Sequence, residues 1–183
     1  MSILFSPRRF FDEIERSAQL APLLIILRWG ATASFVILPL WLFRVPIVTA
    51  PLLPIIPQHY YFWELLFMLP YGVVLTFIIS LVSLASLRLC GRRGPTLRIV
   101  FAVVSYSLFL PWIPCLIWDL VLVFTWHWTL AWLLPFHTAA VVAETGLYSW
   151  GFHKVFGTPW WKAIITGILN SLVFIGLSAI IVR

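Results

Sequence analysis

Residues 163–182 read AIITGILNSLVFIGLSAIIV, 20 residues without one charge. As an α-helix rising about 1.5 Å per residue, the run is ~30 Å long, the thickness of a bilayer's hydrocarbon core. A strand of a membrane barrel would instead show ~10-residue segments of alternating polarity. The run therefore reads as a helix that crosses a membrane. Four more apolar runs precede it, at about 22–43, 61–87, 97–118 and 129–150.

Composition points the same way. Of 183 residues, 62% are hydrophobic and 10% are charged, too little polar surface to cover a soluble domain of this size. The expected fold class is an all-α integral membrane protein: one domain, 1–183, with five transmembrane helices and an N-terminal interfacial amphipathic helix at 6–20. Between the spans lie RVPIVTAPLLPIIPQHYY (44–61), RLCGRRGPTLR (88–98) and GFHKVFGTPWWK (151–162). The first holds Pro46, Pro51, Pro54 and Pro57 and cannot be one regular helix. Pro70 and Gly72 predict a kink in the second span. Pro111 and Pro114 are expected to disturb the end of the third, with a short turn over 119–128 before the fourth.

Near the start, SPRRFFDEIER (6–16) predicts a helix capped by Ser6 with Pro7 at its first position. Phe10, Phe11, Ile14 and Ala18 share one face; Arg9, Asp12, Glu13 and Arg16 share the other, with Asp12 and Arg16 at the favourable i, i+4 spacing. This reads as a helix lying on the bilayer, held there by its two phenylalanines. Acids follow Arg8-Arg9 at once and no small-residue cleavage site follows before Arg44, so the stretch is expected to be retained.

The net charge of +6 is not a nucleic-acid footprint in such a chain, because basic residues first report orientation. With five spans, one side holds Arg8, Arg9, Arg16, Arg88, Arg92, Arg93, Arg98, Lys154 and Lys162, nine in all, and the other holds Arg44 and Arg183. The positive-inside rule gives N-in, C-out. Arg8, Arg9, Arg92 and Arg93 sit beside aromatic anchors, and contact with anionic lipid headgroups is expected.

Two charges well inside the spans are the most informative pair. Arg28 and Glu144 each lie about six residues from the cytoplasmic end, ~9 Å deep. Ionisable groups at such depth pair or line a path, so an interhelical ion pair is expected; the alternative has Arg28 reaching the headgroups and Glu144 at a frayed end. Gly167, Asn170 and Ser171 give the last span a small, polar packing face. Of the four histidines only His137 falls inside a span, without a second at matching depth for haem. His59, Glu64, Asp119 and His127 share one interface but lack zinc-ligand spacing. Cys90 and Cys115 fall near opposite faces. No metalloprotease, nucleophile-elbow or phosphate-loop motif occurs, so no enzyme activity, cofactor or metal is expected.

The order of features resembles the Yip domain (Ypt/Rab-interacting protein) family of five-span proteins. A Tyr-Ser-Leu pattern followed by Ile-Pro in the third span is matched by Tyr106, Ser107, Leu108, Ile113 and Pro114 in YSLFLPWIPCLIW (106–118). An N-terminal Pro-x-x-Phe-Phe is matched by Pro7, Phe10 and Phe11. A Lys-Ala start to the last span is matched by Lys162 and Ala163 in ETGLYSWGFHKVFGTPWWKAIITGIL (144–169). Pro111 is an extra proline beside the motif. The resemblance covers nearly the whole chain and implies a short bacterial-type member: a non-enzymatic accessory or organiser subunit of a larger assembly, with transport complexes among the relatives' partners. The long acidic N-terminal region of eukaryotic GTPase-binding relatives is missing. The expected setting is the bacterial cytoplasmic (inner) membrane, with other integral membrane subunits as partners. The alternative is a small transporter or channel with a polar path through Arg28, Glu144 and Asn170.

Overall fold

In a computed structural model, residues 5–48, 59–91 and 94–181 are described. Among them no strand occurs, and the chain is a succession of helices. The short α1, Pro7–Asp12, is followed by five helices long and apolar enough to cross a membrane. These are α2 (Ile14–Leu42), α3 (Tyr60–Leu89), α4 (Leu97–Phe124), α5 (Leu130–Phe156) and α6 (Trp160–Ile181).

Local chemistry sets the ends. Ser6 stands at the N-cap of α1 in extended backbone and Pro7 opens the helix, but the serine hydroxyl makes no capping bond. The helix breaks at Glu13 (φ −107°, ψ 36°). That break removes the expected Asp12–Arg16 register: Asp12 pairs with Arg8 at 4.0 Å, and Arg16 turns to Glu13 at 3.7 Å. A 3-10 turn, Ala18–Leu20, lies within the first turns of α2. Within α2, Ala33–Ile37 form a π-helical turn. It lies just ahead of Pro39, which has no N–H for the Phe35 carbonyl, and the wider turn accommodates that loss. Gly157, left-handed at φ 59°, ends α5 in the conformation glycine adopts without cost.

Two expectations are corrected. Helix α4 runs unbroken through Pro111 and Pro114 to Phe124, and α5 continues to Phe156. A helix packed among apolar neighbours keeps most of its backbone bonds, and isolated prolines there do not end it. The turn between them shrinks to about 125–129. Helix α3 carries Pro70 inside its length without ending there. Gly72 is the seat of the Trp29 ring, which occupies the space where a Cβ would stand. The prolines Pro51, Pro54 and Pro57, the pair Arg92 and Arg93, and Arg183 lie outside the described residues.

Helices α3, α4, α5 and α6 pack as a ring in which each touches the next, and α2 lies along the α3–α4 edge. The α5–α6 seam is closed by small groups. A Cβ on Gly167 would stand 2.5 Å from Ser149 Oγ and 2.9 Å from the Thr145 carbonyl, and the Thr145 and Ser171 hydroxyls meet at 2.6 Å. Without a hydrophobic force between helices in lipid, close backbone approach of this kind is what holds a bundle. Between α3 and α6, Ser83 Oγ lies 3.0 Å from Asn170 Oδ1, and the Tyr71 hydroxyl donates to the Leu177 carbonyl.

Candidate functional site

Two places in the bundle gather the singled-out residues. The first is central. Arg28 is the midpoint of α2, fourteen residues from Ile14 and fourteen from Leu42. Glu144 lies fourteen residues into α5 from Leu130 and twelve before Phe156. Both are therefore about two turns further from the helix ends on the α1 side than the sequence spacing implied, because α2 and α5 extend beyond their apolar runs. From α2 the Arg28 side chain reaches three other helices. Nη1 donates to Glu144 Oε1 of α5 at 2.9 Å and to the Leu108 carbonyl of α4. The guanidinium lies over the ring of its neighbour Trp29 and that of Phe174 on α6, 5.1 and 5.3 Å from the centroids. Almost none of either charged side chain is exposed, 6% for Arg28 and 2% for Glu144.

The Leu108 carbonyl can take Arg28 as well as its helical donor because a carbonyl oxygen has two lone pairs. The carbonyl that Pro111 leaves without a helical N–H is that of Ser107. One turn along α2, Trp112 Nε1 donates to Thr32 Oγ1 at 3.0 Å, and that hydroxyl donates to the Arg28 carbonyl at 2.9 Å. Arg28, Thr32, Trp112, Leu108 and Glu144 thus form one network across α2, α4 and α5. Glu144 Oε2, the Tyr148 hydroxyl and the Ser105 and Ser107 hydroxyls are buried without a hydrogen-bond partner.

The same face of α5 carries a pair the sequence reading missed. His137 Nε2 lies 3.5 Å from Asp119 Oδ2 of α4; Asp119 is buried, and its other oxygen has no partner. The signal existed: His137 and Glu144 are seven apart, two turns on one helical face. Assigning Asp119 to a turn hid it. Glu64 is buried on α3, and among the described residues no three His, Cys, Asp or Glu side chains gather as a metal site.

The second place is the end of the bundle that carries α1. Phe10 is wholly buried, its ring stacked on Tyr106 of α4 with centroids 3.9 Å apart. Phe11 meets Tyr106 and Trp150 edge-on at 5.5 and 5.6 Å. The two phenylalanines therefore pack into protein, and the reading of them as lipid anchors is corrected. The period of an amphipathic helix identifies an apolar face but not what covers it. Gly151 of α5 makes room: a Cβ there would stand 2.6 Å from Val103 Cγ1 and 3.0 Å from the Phe11 ring. Lys154 Nζ holds Asp12 Oδ1 at 2.9 Å over the joint. Arg8 and Arg9 face outward.

The remaining motif residues are spread. Ser107 and Leu108 are buried in α4, whereas Pro114 faces outward. Ala163 is buried at the start of α6, and Lys162 Nζ reaches the Cys90 carbonyl at 3.3 Å. Asn170 is buried with Nδ2 unpartnered. No protein-family model, curated protein or solved structure matches the chain.

Proposed function

We propose that this chain is an integral membrane protein, N-in and C-out, that serves as a non-enzymatic accessory or organiser subunit of a larger membrane assembly. The observation that carries this is the enclosure of Arg28. Its guanidinium is held by Glu144, the Leu108 carbonyl and two aromatic rings, so the central charges lock helices together instead of lining a passage. The first half of α5 meanwhile turns Leu130, Trp132, Leu134 and Phe136 outward, an apolar flank that other integral subunits can cover. Orientation follows from the basic residues. Among those described, Arg8, Arg9, Arg16, Arg88, Arg98, Lys154 and Lys162 lie at the α1 end, against Arg44 at the other. The bacterial cytoplasmic (inner) membrane fits this charge pattern.

The proposal includes membership of the Yip domain family as a short bacterial-type form. Support comes from how motif residues meet: Phe10 and Phe11 pack on Tyr106, and the Leu108 carbonyl receives Arg28.

A second reading, a small transporter or channel through Arg28, Glu144 and Asn170, is favoured by the unpartnered Glu144 Oε2 and Asn170 Nδ2. Copurification in mild detergent separates the two. A stable hetero-assembly that survives Glu144→Gln supports the organiser. A homo-oligomer whose proton or ion flux in vesicles is abolished by Glu144→Gln, with folding intact, overturns it in favour of the transporter.

A further inference from the structure

Between α2, α3 and α4, at the α1 end of the bundle, lies an open groove of about 560 Å³. Its walls include Ala18 and Pro22 of α2, Phe77 of α3 and Phe101 of α4, with Gln19 and Arg98 as its polar members. The groove exists because α2 meets α4 through alanines: Ala18, Ala21 and Ala102 form a small buried cluster of their own. Methyl side chains let the helices touch there but fill none of the space beside the contact.

We infer that this groove is a seat for one anionic phospholipid, with the phosphate on Arg98 and an acyl chain along Phe77 and Phe101. The inference rests on the membrane reading proposed above. Three features select this occupant. A mostly apolar concavity of this size with a few polar groups is the general form of a ligand site, and here apolar walls meet a cationic rim as an amphiphile requires. Arg98 faces outward and has no carboxylate within ion-pair distance among the described residues, so its fork of donors is free for a phosphodiester. Phe77 stands twelve residues before Leu89, the last residue of α3, which is about 18 Å of helix. Along α2 and α4 the lining runs from Ala18 to Pro22 and from Leu97 to Phe101, about 6 Å of helix, so the groove holds the headgroup and the start of an acyl chain.

Charge favours the same occupant. The described residues at this end carry seven basic side chains against Asp12, Glu13 and Glu15, and basic pockets between helices on the cytoplasmic side take anionic headgroups. A free phosphate would leave the apolar walls unused.

The test is native mass spectrometry of the protein released from mild detergent containing equal phosphatidylglycerol and phosphatidylcholine. One phosphatidylglycerol is expected to be retained in preference. Arg98→Gln is expected to lower that preference about fivefold, the loss of one basic contact. Arg44→Gln, at the opposite end, is expected to leave it unchanged. Gln19→Trp, which fills the groove mouth, is expected to lower retention of both lipids. Equal retention of the two lipids by the native chain, or an Arg98→Gln chain indistinguishable from it, overturns the seat. So does Arg44→Gln acting as strongly as Arg98→Gln. Vesicle flotation keeps the two levels apart. A chain that stays in the aqueous fraction overturns the membrane reading, and one that floats but retains no phosphatidylglycerol overturns the seat alone.

Discussion

Replacing Arg28 by Met isolates the central ion pair. In the native chain Nη1 lies 2.9 Å from Glu144 Oε1, and the two side chains expose only 6% and 2% of their surface. Removing the guanidinium leaves Glu144 with neither oxygen partnered, because Oε2 has no partner to begin with. Stranding one member of a buried pair costs about 3–5 kcal/mol. Methionine restores part of the apolar contact with Trp29 and Phe174, so the lower part of that range is expected. Glu144→Gln keeps an acceptor opposite Nη1 and removes only the charge, a smaller cost of about 1–3 kcal/mol. Replacing both, Arg28→Met with Glu144→Met, removes both charges while filling the volume; such exchanges are near neutral or stabilising. The double variant is therefore expected within about 1 kcal/mol of the native chain, and the cycle gives the coupling directly. The assay is equilibrium unfolding in mixed micelles, followed by far-ultraviolet circular dichroism and by the fluorescence of the eleven tryptophans. A neutral Arg28→Met, or a double variant as unstable as the sum of the singles, would falsify the account of Arg28 as a buried lock.

Phe10→Ala removes a fully buried ring stacked on Tyr106; deletions of this size cost about 3–5 kcal/mol. Tryptic cleavage at Arg8, Arg9 and Arg16 is expected to accelerate by more than tenfold while α2–α6 stay folded, and unchanged cleavage contradicts the docking. Gly167→Val forces a branched side chain onto Ser149 Oγ, 2.5 Å from where Cβ would stand. Loss of about 1–3 kcal/mol is expected, and a fluorescence or cross-link reporter across α5 and α6 should register their separation. Lys154→Ala breaks the 2.9 Å contact with Asp12. Because both side chains are substantially exposed, it is expected to cost at most about 1 kcal/mol, and the difference should vanish in ~1 M salt. A large effect that persists in high salt assigns Lys154 a role other than this ion pair.

The number and apolar character of the five long helices were legible in runs such as 163–182, because a bilayer imposes one length on every span. The ends were less so. Prolines 111 and 114 read as helix-ending when judged by their missing N–H, yet α4 passes through both to Phe124. That single misjudgement moved Asp119 into a turn and hid its contact with His137. The choice of Arg28 and Glu144 as partners rested on the cost of an isolated charge in an apolar run, a cost that sequence alone conveys. Their depth did not follow, since α2 and α5 extend past their apolar segments. Gly72 and Gly151 carry no mark in the sequence that distinguishes a kink from a seat for Trp29 or Phe11; only packing between distant helices decides it.

The packing of Phe10 and Phe11 on Tyr106 and Trp150 also imposes an order on biosynthesis. The segment emerges first, but its partners follow 96 and 139 residues later along the chain. At roughly 5–20 residues per second, the two rings wait about 5 to 30 s before anything in their own molecule can receive them. On the proposed membrane reading, the adjoining leaflet is the apolar surface at hand during that interval, so a lipid-bound helix is expected for the nascent chain and the docked helix for the finished one. Chains arrested before Tyr106 and after Phe156 should therefore differ in the protease protection of residues 7–16, and equal protection would remove this ordering.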